Sequence, residues 1–157
     1  MKKITIEVPD GKKAVQSEKD GILTIMFTSK PKHWSEMDSF EEFYEAADDA
    51  ARKEYDDDLC ISPDAVAYKM LRLIIRVTNT DPETGIRWIP NWSDTHEKKW
   101  WPWFNLSSGC GFVDSGYGYD GTITGVGSRL CFQTKEKSDG IAKKFIKIYE
   151  AYITIKN

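Results

Sequence analysis

No stretch of this sequence stays apolar for the roughly 18 to 20 residues that a membrane-spanning helix needs, so a membrane partner is not expected. Histidine is scarce, with two residues, and neither His33 nor His96 stands at a metal-site spacing from Cys60, Cys110 or Cys131. Three cysteines at unrelated positions argue against a disulfide framework and for free thiols in a reducing compartment. An excess of positive charge is also lacking. The net charge of −3 gives no general attraction to nucleic acid. The start, Met-Lys-Lys-Ile-Thr-Ile-Glu, breaks its apolar pattern at Glu7, where an export signal would continue it, and a cytoplasmic location is expected.

Catalytic motifs are equally thin. Gly116-Tyr117-Gly118-Tyr119-Asp120-Gly121 matches a dinucleotide-binding pattern by letter, but such a motif works only when a helix follows and holds the pyrophosphate. Here Thr122-Ile123-Thr124 and a second glycine cluster, Gly125-Val126-Gly127, follow, which reads as a glycine-rich hairpin. Gly127-Ser128-Arg129 lacks the lysine of a phosphate-binding loop, and Asp56-Asp57-Asp58 lacks the alternation of a calcium loop. No catalytic residue, metal or cofactor is assigned. A cysteine nucleophile served by His96 would require assembly through the fold, and a buried thiol acting as a small apolar group is the commoner use.

What is present is enough for one core: 40% hydrophobic and 13% aromatic residues in 157, read as a single domain over 1–157. Alternation at 3–8 and β-formers at 22–27 predict a hairpin joined by a long polar loop between Asp10-Gly11 and Asp20-Gly21. Ser39 with Glu42 forms a capping box, opening a helix whose apolar face is Phe40, Phe43, Tyr44, Ala47, Ala51 and Tyr55 and whose end is Asp56-Asp57-Asp58. Ser62-Pro63 opens a second helix, running through Val77, so apolar that only Lys69, Arg72 and Arg76 remain as a polar face. Asp81 to Gly85 is a turn, and 86–101 has no clear period.

From Trp101 to Phe132 the pattern is β-rich, and Thr134 caps a last helix with the stripe Ile141, Phe145, Ile148, Tyr152 and Ile155. The fold class expected is α+β, a mainly antiparallel sheet with about three helices packed on one face. Charge is unevenly shared, since the first helix is acidic and the last carries Lys143, Lys144 and Lys147.

Trp88, Trp92, Trp100, Trp101 and Trp103 crowd with Phe104 into seventeen residues, more rings than one small core buries with ease. Beside them lie Arg87, Lys98 and Lys99, and Arg129 follows the glycines. The candidate binding set is therefore Trp88, Trp92, Trp100, Trp101, Trp103, Lys98, Lys99 and Arg129. Flat rings among cations suit a protein hot spot or stacked, unpaired bases. The alternative use of the rings is a packed aromatic core.

The segments Trp101-Pro102-Trp103-Phe104, Val126-Gly127-Ser128-Arg129-Leu130-Cys131-Phe132-Gln133-Thr134 and Lys144-Phe145 with Tyr149 resemble a family of small uncharacterised proteins from phages and prophages of Bacteroides-type gut bacteria. The start, Ile-Thr-Ile-Glu-Val-Pro-Asp-Gly-Lys-Lys, is similar to the start of that family. The resemblance implies a mobile-element origin and a place in the bacterial cytoplasm or the virion, and it implies no activity. The expected function is a non-enzymatic interaction module with a protein partner. Single-stranded nucleic-acid binding is the alternative, disfavoured by the net charge, and an enzyme assembled only in the fold is a third.

Overall fold

The computed structural model describes residues 5–57, 62–107, 110–118 and 128–154. Contacts gather the chain into two compact units, 1–32 and 33–157. No helix among the described residues is long and apolar enough to cross a membrane.

The first unit is an antiparallel hairpin of β1 (Lys12–Lys19) and β2 (Ile22–Ser29), with Lys19 opposite Ile22. Two residues make the turn. Asp20 and Gly21 both have positive φ, 52° and 75°, a mirror-image turn whose twist suits a tight hairpin. The strand expected at 3–8 is therefore misplaced: residues 5–8 are irregular, and the polar stretch taken for a loop is β1. Asp20-Gly21 was the hairpin turn itself, and alternation at the start lost to turn chemistry.

The second unit holds five α-helices and a second antiparallel ribbon among the described residues. Ser39 caps α1 (Phe40–Ala46) as the capping box requires, its Oγ accepting the Glu42 N–H at 3.3 Å while Glu42 Oε2 accepts the Ser39 N–H. The expected single acidic helix breaks at Ala47 and restarts as α2 (Asp49–Asp57). Asp48 causes the restart, since its Oδ1 accepts the Ala51 N–H at 2.9 Å and offers the chain a new helix start.

Next comes α3 (Pro63–Thr78), the central helix, against which α1, α2 and later α5 pack. Ser62 occupies its N-cap position with extended backbone, but its side chain makes no capping bond. Leu71 and Ile74 are fully buried, each contributing roughly 2 to 3 kcal/mol by leaving water. The turn at Asp81 forms as expected: its Oδ1 accepts the N–H groups of Glu83 and Thr84, and Gly85 takes the positive φ of 70°.

The ribbon is β3 (Lys99–Asn105) against β4 (Gly111–Gly118), with a bulge between Trp103 and Phe104. On its other side Trp100 exchanges backbone hydrogen bonds with Phe132 at 3.0 and 2.8 Å. The glycine hairpin expected over Asp120-Gly121 and Gly125-Val126-Gly127 lies outside the described residues.

The last helix is also two, α4 (Lys135–Lys144), capped by Thr134, and α5 (Ile146–Ile153). Phe145 leaves helical geometry at φ −115° and ψ 33°, and its ring meets Phe43 edge-on at 5.4 Å. Burying that ring together with Ile141 and Tyr149 outweighs one straight helix. The chain is thus α+β with antiparallel pairing. In place of one mainly antiparallel sheet under about three helices stand, among the described residues, two separate two-stranded ribbons and five α-helices.

Candidate functional site

Trp88 and Trp92 close a small structural lock rather than a free surface. The Trp88 indole N–H donates to Glu97 Oε1 at 3.0 Å, and the Asn91 N–H donates to Glu97 Oε2 at 2.7 Å. Lys99 completes it, only 1% exposed, with Nζ 2.9 Å from the Asp94 carbonyl oxygen, 3.4 Å from Glu97 and 5.5 Å above the Trp92 ring. A lysine read as a binding residue is therefore an internal cation. Its position on a strand that faces inward, next to a carboxylate that can hold it, is what the one-dimensional pattern conceals.

Trp100 and Trp101 are half-buried. The Trp100 ring lies 4.7 Å from Tyr117, its cross-strand partner, and Lys98 Nζ stands 4.6 Å from the Tyr117 ring. Trp103 alone of the five is mostly open, 57% exposed, with its indole lying where a side chain on Gly116 would be. Lys144, taken with the basic helix, is engaged: its Nζ donates to the carbonyls of Ser35 and Met37 at 2.7 and 2.8 Å and pairs with Asp38. His96 stands in solvent with its side chain 96% exposed while Cys131 is fully buried, so that thiol and imidazole do not meet.

Two features were less visible in the sequence. The first is the hairpin. On one face of it Val15, Met26 and Ile22 are exposed, and on the other Leu23 and Phe27. Ile22 is 67% and Leu23 52% exposed. Among the described residues this ribbon has no third strand, and two strands alone are marginal in water.

The second is a cleft of about 310 Å³ in the second unit. Lys69, Arg72 and Arg76 of α3 line it at helical spacing, Arg87 arrives from the turn after α3, and Arg129 comes from the short 3-10 turn Ser128–Leu130. Glu54 pairs with Arg72, and Asp48 accepts Arg76 through both oxygens. Burial lowers the Arg72 guanidinium, and the neighbouring Arg129, Arg76 and Arg87 lower it further. The sequence supplied three of these as the residual polar face of a helix and Arg129 as a candidate; their convergence is tertiary. No family model, curated protein or solved structure matches the chain.

Proposed function

We propose that this chain is a non-enzymatic interaction module of phage or prophage origin, acting in a bacterial cytoplasm or a virion, which docks its N-terminal hairpin onto another protein. One observation carries the reading: Ile22, Leu23, Met26 and Phe27 are exposed on both faces of a two-stranded ribbon. Apolar side chains on a strand pair with open edges gain by burial against a partner, and the edges can accept a partner strand. Trp103 and Tyr117 of the second ribbon, 57% and 45% exposed, add aromatic area of the kind that anchors interfaces. The alternative, single-stranded nucleic acid along the tryptophans and C-terminal lysines, is weakened because Lys99 is buried and Lys144 is already engaged by the Ser35 and Met37 carbonyls and by Asp38.

The test places a photoreactive amino acid at Leu23 and illuminates cells of the natural host. A discrete protein adduct, lost when Phe27→Ser and Met26→Ser are added, is the expected result. An adduct of twice the chain's mass would identify the partner as a second copy. Absence of any discrete adduct in a protein of native circular dichroism overturns the reading.

A further inference from the structure

The arginine cleft is independent of the hairpin. Its lining puts Lys69, Arg72, Arg76, Arg87 and Arg129 against Glu54, with Asp48 behind Arg76, in a chain whose net charge is −3. Cations so gathered repel one another unless something offsets them. Glu54 and Asp48 answer Arg72 and Arg76. Arg87 and Arg129 make no direct ion pair with a carboxylate among the described residues, Asp48 acting on Arg87 only at longer range, and both are exposed. They come from separate segments of the chain and meet only in the fold.

The excess is best answered by a compact dianion. A carboxylate carries one charge and satisfies one guanidinium fork, whereas a phosphate monoester carries nearly two and presents three oxygens to two forks. A nucleic-acid strand fits less well, because α2, which forms one wall, carries Asp49, Glu54, Asp56 and Asp57 and repels an extended polyanion. The volume sits at the small end of pockets that hold small molecules. The walls are not only charged: the Tyr55 ring, Ile89 at 67% exposure and Pro90 offer apolar area beside the guanidiniums.

We propose that this cleft binds a small phosphomonoester, its phosphate held between Arg87 and Arg129 and its body lying along Tyr55, Ile89 and Pro90. Binding relieves repulsion among the arginines, so the ligand stabilises the fold as well as occupying it.

Calorimetric titration and thermal melting of the full chain test this with adenosine 5′-monophosphate, glycerol 3-phosphate, inorganic phosphate and an unphosphorylated oligonucleotide. A phosphomonoester is expected to bind saturably, raise the melting temperature and bind at least roughly tenfold more tightly than inorganic phosphate. Whichever of the two esters is tighter shows whether the body is planar or aliphatic. Arg87→Gln and Arg129→Gln are each expected to weaken it by roughly tenfold or more, as loss of a charge-assisted bond does, while the unliganded melting temperature holds or rises. A merely structural role would lower that temperature instead. The proposal is overturned if neither ester binds at millimolar concentration, if neither exceeds inorganic phosphate, if the oligonucleotide binds more tightly than both, or if the two variants bind unchanged.

Discussion

Asp48 accepts the Arg76 guanidinium through both carboxylate oxygens, Nη2 to Oδ1 at 2.7 Å and Nε to Oδ2 at 3.0 Å, while the same Oδ1 takes the Ala51 N–H. One side chain thus starts α2 and ties it to α3. Burial raises the Asp48 carboxyl, but the bonds from Ala51 and Arg76 outweigh that and hold it below its ordinary 3.8. A depressed carboxylate stabilises the fold fully above its unfolded value and loses that contribution as pH falls through the folded one. Asp48→Asn is therefore expected to flatten the decline of urea midpoint below pH 4, where wild type falls more steeply. Parallel curves for the two proteins would show that Asp48 does not set the acid limb.

Gly140 sits inside α4, where alanine ordinarily adds up to roughly 1 kcal/mol to a helix. A Cβ there would lie 2.6 Å from Cζ3 and 2.9 Å from Cη2 of the buried Trp34 ring. Overpacking is expected to win, so Gly140→Ala should lose about 1 to 2 kcal/mol. In a Trp34→Phe background those two ring atoms are gone, and the same change should cost less. A double-mutant cycle with no coupling would place the cause outside this contact.

Replacing Lys99 by methionine keeps most of the buried stem and removes the charge. Glu97 then faces the interior without its cation, though it retains the Trp88 and Asn91 donors and is 24% exposed. The expected loss is about 3 kcal/mol, the low end for breaking a buried pair. Tryptophan emission should shift as Trp92 loses the ammonium above it. A variant as stable as wild type would mean that the Glu97 carboxylate is satisfied without Lys99.

Cys131 is fully buried, and burial pushes its thiol up to about 11, with Lys99 acting weakly in the other direction. Cys110, half-exposed, is raised less, by burial and by Glu150. Neither is in a disulfide. At pH 8 an alkylating reagent should label Cys110 in the folded protein and leave Cys131 untouched until urea opens the core, as read by peptide mass. Equal labelling rates in native buffer would contradict the burial of Cys131.

Local chemistry was readable in the sequence where one short motif decides the backbone. Ser39 with Glu42, Pro63, the Asp81 turn and the Thr134 cap all lie where their side chains predict. The break at Phe145 was not readable, because it follows from Phe145 reaching Phe43, and the break at Ala47 was so only in part, because Asp48 restarts the helix locally through the Ala51 N–H while Arg76, 28 positions away, holds it in place. The hairpin was displaced because alternation at 3–8 looks like a strand, while Lys12–Lys19 earns its pairing from the Asp20-Gly21 turn. Candidate residues fared by environment: Trp103 and Arg129 face solvent, and Lys99 does not, since a lysine's letter does not reveal whether a carboxylate waits behind it.

Asn79 clamps the segment after the glycines: its Nδ2 donates to the Cys131 carbonyl at 2.8 Å, and its Oδ1 accepts the Gln133 N–H at 3.2 Å. The helix that Asn79 caps is also covered by α5 through residues as late as Tyr152, whose ring stacks on Tyr68, 74 positions beyond Thr78. During synthesis, at about 5 to 20 residues per second, α3 therefore emerges on the order of 4 to 15 seconds before the last of its cover. Until Ser128–Leu130 and then α5 follow, Leu71 and Ile74 have α1 and α2 to shelter against among the described elements. The nascent chain is thus most open to chaperone capture or to aggregation in that interval, and a ribosome stalled anywhere between Asn79 and Phe132 would hold it there.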